Sequence, residues 1–113
     1  MTVTIYHNPR CSNSRRALEL LRDRGVEPRV VEYLKTPPDA AELKRLLKLM
    51  GKRPRDILRA KEAAEARIDP DALSDDALVA AMVQHPITIQ RPIVASGSKA
   101  ALGRPPEAVL AIV

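Results

Sequence analysis

The single cysteine of this 113-residue chain, Cys11, lies in a polar and basic stretch over residues 6–16. A thiol attacks as its thiolate, and the first turn of a helix stabilises a thiolate because unpaired backbone N–H groups carry partial positive charge there. Arg10, Arg15 and Arg16 add positive charge in the same stretch. A buried structural thiol is the alternative, but it does not fit a turn this polar. We therefore predict that Cys11 is a nucleophilic thiolate.

The elements that must position Cys11 follow from the spacing of apolar residues. Residues 2–6 alternate between apolar and polar side chains, which predicts a half-buried strand. Apolar residues recur at helical spacing behind Cys11 and stop at Gly25, which predicts a helix over residues 12–24. Residues 29–33 predict a second strand, and a strand–helix–strand unit makes the two strands parallel. Cys11 would then lie at the turn between the first strand and the helix.

The middle of the chain predicts mainly helices. A helix capped by Asp39 is predicted to end at Gly51, and a shorter helix is predicted over residues 54–60. Residues 62–72 are interpreted as a helix end followed by a loop. Ser74 is predicted to cap the next helix, because acidic residues follow it and apolar residues then recur at helical spacing.

The last part of the chain predicts a hairpin and a final helix. Residues 90–95 and 100–102 have strand character on either side of a Ser-Gly-Ser turn, and Gly-Arg-Pro-Pro at residues 103–106 opens a helix. The fold class is therefore α/β, with the element order of a thioredoxin-like fold: a four-stranded mixed sheet with a helical insertion between strands 2 and 3. We expect residues 1–113 to form a single domain.

Composition limits the function classes. The net charge of +5 suggests nucleic-acid binding, but acidic residues interleave with the basic ones and the chain has only two aromatic residues for base stacking, so we expect no nucleic-acid partner.

A lone cysteine permits no internal disulfide and fits a reducing compartment. No apolar run approaches the ~20 residues of a membrane span, and no secretory signal is recognisable, so a cytoplasmic location is expected. With no Cys/His cluster of ligand spacing, we expect no metal and no bound cofactor.

The chain resembles the glutaredoxin-coupled arsenate reductases of the ArsC family, within the thioredoxin-like superfamily. The resemblance covers nearly the whole chain and rests on motifs that occur in the family's order. They are His7-Asn8-Pro9-Arg10-Cys11-Ser12 with Ser14-Arg15, Leu34-Lys35-Thr36-Pro37-Pro38, Leu58-Arg59-Ala60-Lys61-Glu62, His85-Pro86-Ile87 leading into Gln90-Arg91-Pro92-Ile93-Val94, and Gly103-Arg104-Pro105-Pro106-Glu107.

The resemblance implies a role for each matching residue. Cys11 would attack arsenate, and the hydroxyl of Ser14 would hydrogen-bond the thiolate. Pro92, by analogy with the thioredoxin fold, would be a cis-proline that faces the cysteine. His7 and Asn8 complete the residues expected to support the thiolate, and His7 either tunes the sulfur or packs beneath it. Three arginines would hold the oxyanion and its adduct with the thiol: Arg59, Arg91 and Arg104.

The implied activity is reduction of arsenate to arsenite, with glutathione as co-substrate and glutaredoxin as the final reductant. Because the chain has no second cysteine, another molecule must supply the second thiol. Two alternatives stay open. One is a regulatory protein like the Spx regulators, which contact RNA polymerase, although Ser14 stands where their Cys-x-x-Cys switch has its second thiol. The other is a glutathione-dependent thiol reductase with a different substrate.

Overall fold

The computed structural model describes residues 2–113. Within them the strands are β1 (Val3–His7), β2 (Arg29–Glu32), β3 (Ile93–Ser96) and β4 (Lys99–Leu102). The α-helices are α1 (Ser12–Asp23), α2 (Ala40–Met50), α3 (Ala60–Glu65) and α4 (Asp75–Gln84). Short 3₁₀ helices span Pro54–Ile57, Pro86–Thr88 and Pro106–Ile112. None of the helices in residues 2–113 combines the length and the apolar character that crossing a membrane requires.

The four strands form one mixed sheet in the order β2-β1-β3-β4, which confirms the predicted fold class. β1 runs parallel to β2, while the pairs β1–β3 and β3–β4 are antiparallel. The register sets the end of β1 beside the start of β3, with Tyr6 opposite Ile93, and Ile93 in turn opposite Leu102 at the end of β4. The chain segments that follow β1, precede β3 and follow β4 therefore all emerge at one edge of the sheet.

The described residues pack as two compact units. The first extends up to Thr36 and includes Arg91–Val113, so it contains the whole sheet; the second is Pro37–Gln90. The expectation of a single domain over residues 1–113 stays a prediction.

The core of the first unit lies between the sheet and α1. Ile5 and Val94 are paired across β1 and β3 and are fully buried. They pack with Ala17 and Leu21 of α1 and with Val109 of the last 3₁₀ helix, which closes the same core from the C-terminal end. This aliphatic cluster fixes the start of α1 relative to the end of β1, and Cys11 lies between those two points.

Two helices of the second unit, α2 and α4, begin and end as their sequences predict. The side chains of Asp39 and Ser74 accept hydrogen bonds from the N–H groups of Glu42 and Ala77, at 2.8 and 3.1 Å, and so cap α2 and α4. Gly51, with φ of +67°, ends α2 in the left-handed conformation that glycine adopts at low cost. The buried faces of α2 and α4 consist of aliphatic residues and one methionine: Leu43, Leu46, Leu47, Leu78, Val79 and Met82.

The prediction of one helix over residues 54–60 is wrong. A 3₁₀ helix ends at Ile57, the backbone of Leu58 and Arg59 is extended, and α3 begins only at Ala60. Residues 62–65, the start of the segment predicted to be a helix end and a loop, belong to this separate helix. The reason is a long-range contact: Leu58 forms an isolated bridge with Ile89, and the N–H of Arg59 donates to the carbonyl of Thr88 at 2.8 Å. Next to this bridge, the N–H of Gln90 donates to the carbonyl of Ile57 at 2.8 Å. β3 accordingly starts at Ile93 and not at residue 90.

Candidate active site

The turn that carries Cys11 is held by hydrogen bonds from Asn8. The carbonyl oxygen of Asn8 accepts from the N–H of Cys11, and its side-chain oxygen accepts from the N–H of Arg10, both at 3.0 Å. An asparagine that bonds the backbone two residues ahead stabilises a turn of this kind. Asn8 is buried, so its side chain has little freedom to leave this position. Asn8 thus supports Cys11 by shaping the backbone.

Cys11 is the N-cap residue of α1, and its environment favours the thiolate. Its backbone is extended and its side chain caps no N–H through a conventional hydrogen bond. Burial by itself raises the pKa of the thiol. The backbone N–H of Ser14, the guanidinium of Arg91 and the backbone N–H of Asn13 outweigh burial by donating toward the sulfur, so the pKa lies below its ordinary value.

Arg91 is the charged side chain beside the sulfur. It hydrogen-bonds Cys11, while its Nε and Nη1 atoms are buried and have no hydrogen-bond partner among residues 2–113. Leaving a buried charged donor unpaired costs about 1–3 kcal/mol or more, so such groups generally serve a ligand or a solvent molecule. The planar guanidinium presents these donors in a fixed fork that suits two oxygens of one anion.

Arg104 joins Arg91 at the same edge of the sheet. Its Nη1 donates to the backbone carbonyl of Arg91 at 3.3 Å, although its side chain is exposed. Arg91-Pro92 and Arg104-Pro105 are both cis peptide bonds. The first agrees with the expectation for Pro92, which is buried at the start of β3; the second had no sequence signal that distinguished it from an ordinary trans bond.

Ser14 lies beneath the turn and is fully buried. Its hydroxyl oxygen lies 2.6 Å from Nδ1 of His7 and accepts a hydrogen bond from the N–H of Asn8 at 3.0 Å. The contact of Ser14 with the sulfur is through the backbone N–H. Ser14 therefore ties the end of β1 to the first turn of α1, and the hydrogen bond from its hydroxyl to the thiolate stays a prediction.

His7 is also buried, and burial is the main reason that its pKa lies below its ordinary value. The charges of Arg22 and Arg15 lower this pKa further, while Glu32 opposes them. A neutral imidazole is therefore favoured at neutral pH, and its Nδ1 forms the hydrogen bond with the Ser14 hydroxyl. The His7 ring thus lies under the turn that carries Cys11, against the Ser14 hydroxyl.

Arg59 belongs to the second unit. It is the N-cap residue of α3, its Nε pairs with Glu62 Oε1 at 3.0 Å, and its Nη1 donates to Gln90 Oε1 at 3.2 Å. Its grouping with the other two arginines around one oxyanion stays a prediction.

Gly103 is a supporting residue that the sequence pattern did not reveal. Its N–H donates to the carbonyl oxygen of Pro92 at 2.8 Å, and a Cβ at this position would lie 2.6 Å from Pro92 Cγ. Only glycine fits so close to the proline ring. The residue was interpreted merely as part of a helix start, although a glycine next to Arg104-Pro105 is a signal for close backbone approach.

The chain is similar to known proteins over nearly its whole length. Residues 6–112 match the ArsC family. The chain is 53% identical to YfgD, a protein of Escherichia coli strain K12 that is named as uncharacterised, over 98% of this chain and 96% of that one. It is 46% identical to an arsenate reductase of Rhizobium meliloti strain 1021, over 99% of this chain and 81% of the relative.

A solved structure extends the likeness to three dimensions. An arsenate reductase from Vibrio cholerae matches with a TM-score of 0.93 and 49% identity, over 100% of this chain and 98% of that one. The thioredoxin-like architecture expected from the element order is thereby confirmed. Sequence and fold agree over almost the full length, and the chain belongs to the ArsC family.

Proposed function

We propose that this protein is an arsenate reductase that takes its electrons from glutathione and glutaredoxin in the cytoplasm. The observation that carries the proposal is the pairing of Cys11, whose pKa is lowered, with Arg91, whose buried Nε and Nη1 donors have no partner among residues 2–113. Relatives named as arsenate reductases at 46–49% identity support the same substrate.

The electrostatics favour an arginine-lined thiolate for this reaction. Arsenate is a dianion near neutral pH, so an attacking thiolate meets repulsion from a like charge. A unit charge pair about 4 Å apart is worth roughly 4 kcal/mol at an effective dielectric of about 20, so nearby guanidinium groups offset this repulsion. Arg91 can grip two oxygens through its free donors, with Arg104 beside it.

The proposed reaction has three steps. The Cys11 thiolate forms a bond to arsenic and displaces a hydroxyl group, which leaves as water after protonation. The glutathione thiol then displaces a second hydroxyl, again as water. Finally a glutaredoxin thiolate attacks the glutathione sulfur and breaks its bond to arsenic; the bonding electron pair stays on arsenic, which is reduced from As(V) to As(III). Hydrolysis of the remaining sulfur–arsenic bond releases arsenite and restores Cys11.

The need for an outside thiol follows from composition. Cys11 is the only cysteine, so no internal disulfide can form to close the cycle. In the proposed reaction the two electrons come from the glutathione and glutaredoxin sulfurs, which end as a mixed disulfide. The Spx-like alternative is less favoured, because a regulator of that kind has no need of buried arginine donors beside a single thiol. A thiol reductase with another substrate keeps the same chemistry and is separated by experiment.

The test is arsenite formation by purified protein with arsenate, glutathione, glutaredoxin and a system that regenerates reduced glutathione. We expect sustained turnover, none with Cys11→Ser, and none when thioredoxin replaces both thiol donors. Sustained turnover with thioredoxin alone would overturn the electron path. Reduction of a glutathione mixed disulfide without any arsenite formation would overturn the substrate and favour the thiol reductase.

A further inference from the structure

A cavity of about 310 Å³ opens beside the turn that carries Cys11. Residues 7–10 form one wall, and Glu32, Leu34 and Lys35, at and just after the end of β2, form the other. Its size falls within the range of small-molecule sites, about 300–1,000 Å³. A larger cavity of about 730 Å³ is lined by Thr2, Val3 and Ser96 at the opposite end of β1, so it cannot bring a ligand to Cys11.

The cavity is linked to the reactive thiol by the backbone. Asn8, which lines it, accepts the hydrogen bond from the N–H of Cys11, and Arg10 directly precedes the cysteine. The parallel register sets His7 opposite Glu32, so the segment after β2 emerges at the same sheet edge as the Cys11 turn. A ligand in this cavity therefore contacts Asn8 and Arg10, which lie in the turn that carries Cys11.

The cavity is lined by charges of both signs. Arg10 and Lys35 supply two exposed cations, and Glu32 supplies one carboxylate. Lys35 Nζ lies 3.7 Å from Glu32 Oε1, but both side chains are largely solvent-accessible, and a pair of this kind is weak enough for a ligand to replace. Leu34 adds an apolar surface that is 40% exposed.

Glutathione has the complementary pattern. It carries two carboxylates, one ammonium group and a short peptide with a central thiol. We infer that the cavity formed by residues 7–10 with Glu32, Leu34 and Lys35 is the binding site for glutathione, with the cations on its carboxylates and Glu32 on its ammonium group. The inference rests on the proposed function, since the reaction needs an incoming thiol beside Cys11. Inorganic anions match only the cations and leave Glu32 opposed to a like charge.

Binding can be measured without the reaction. The probe is reduced glutathione, titrated into Cys11→Ser protein and followed by backbone amide NMR, so that no bond to the protein can form. We expect saturable shifts at the amides of His7, Asn8 and Arg10 and of residues 32–35; Pro9 has no amide proton. Lys35→Glu should raise the Kd about tenfold, the scale of a lost charged contact turned into repulsion, and Arg10→Glu should act in the same direction.

The matched control is Lys99→Glu, which makes the same charge change on an exposed residue at the far end of the sheet. It should leave the Kd unchanged. Glutathione diethyl ester, which lacks both carboxylate charges but keeps the ammonium group, should bind Lys35→Glu no more weakly than the parent. Equal effects of Lys35→Glu and Lys99→Glu on glutathione binding, or shifts confined to other residues, would overturn the site. Thermal unfolding of each variant checks that the fold is retained.

Kinetics separate this inference from the function on which it rests. In the intact enzyme, Lys35→Glu should raise the KM for glutathione about tenfold while kcat at saturating glutathione is preserved. If the protein binds glutathione in this cavity but forms no arsenite, the proposed function fails and the site stands. If arsenite forms and Lys35→Glu leaves the KM for glutathione unchanged, the site fails and the function stands.

Discussion

Arg104 donates a hydrogen bond from its Nη1 to the backbone carbonyl of Arg91, at 3.3 Å. The guanidinium of Arg104 thus stabilises the backbone that carries the guanidinium of Arg91. The contact follows from the β3–β4 hairpin, because Ile93 and Leu102 are paired and the residues before and after them emerge together. Substitution at either arginine should therefore affect the same anion site.

We expect Arg91→Lys to lower kcat for arsenate about 10²–10³-fold although the charge is kept, because one ammonium cannot replace two fixed donors. Arg104→Lys should lose less, since Arg104 is exposed and contacts Arg91 through one bond. Steady-state arsenite formation measures both. Lysine variants as active as the parent would mean that only charge matters.

The thiol of Cys11 should titrate below the pKa of about 8.5 of a free cysteine. The rate of alkylation by iodoacetamide should therefore level off at a lower pH than for a free thiol. Arg91→Ala should raise the pKa by removing a donor and a positive charge from the sulfur. Arg16→Ala is the control, because Arg16 is exposed and pairs with Glu19. An unchanged pKa in Arg91→Ala would contradict the role of the guanidinium.

Stability should fall in mild acid because of His7. Its pKa is lowered in the folded protein, so the unfolded chain takes up the proton first as pH falls. The stabilisation is complete above about pH 6.5, the value for an unfolded histidine, and is lost as pH falls toward the folded value. Urea unfolding at about pH 7.5 and about pH 5 measures the loss as a difference in the free energy of unfolding.

The control for this prediction is the second histidine. His85 is exposed, so His85→Gln should lose as much stability between the two pH values as the parent. His7→Gln should lose less, because the proton-binding group is gone. Equal losses in the two variants would contradict the assignment of the pH dependence to His7.

Gly103→Ala should reduce activity and stability together. The added Cβ would lie 2.6 Å from Pro92 Cγ and 3.2 Å from Val109 Cγ1, so the loop before β3 or the last 3₁₀ helix must shift. Overpacking of this kind costs about 1–3 kcal/mol. Denaturant unfolding and arsenite formation are the measurements.

Gly51→Ala provides a contrast in the second unit. A Cβ at Gly51 meets nothing within 4 Å, but its φ of +67° is unfavourable for alanine. We expect a loss of about 1 kcal/mol in stability with the pKa of Cys11 unchanged. If Gly103→Ala also left that pKa and the activity unchanged, its contact with Pro92 would have no bearing on the site.

Local signals were sufficient for much of this fold. The alternation in β1, the caps Asp39 and Ser74 and the glycine of the hairpin each act within a few residues. The four strands and the helices α1, α2 and α4 are found with ends shifted by at most three residues. The break at Leu58 and Arg59 was not predictable in this way. It depends on backbone hydrogen bonds that join Arg59 to Thr88 and Ile57 to Gln90. The two partners in each pair are distant in sequence.

In the candidate site too, some features follow from local sequence and others depend on long-range contacts. Cys11, Ser14 and Pro92 could be identified from motif and position, and the start of α1 follows from helix periodicity. The approach of Arg91 to Cys11 depends on the antiparallel pairing of β1 with β3, and the closeness of Gly103 to Pro92 depends on the pairing of β3 with β4. A linear pattern does not encode such distances, so these features required coordinates.

The pairing of β1 with β3 also bears on how the protein is made. β1 and α1 leave the ribosome before Arg91 and β3 do. Loop closure over most of the sequence must come before Tyr6 and Ile93 can pair. Until then the Cys11 sulfur meets only the amides of α1. We therefore expect the thiol to be less activated, and less open to oxidation, until Arg91 is in place beside it.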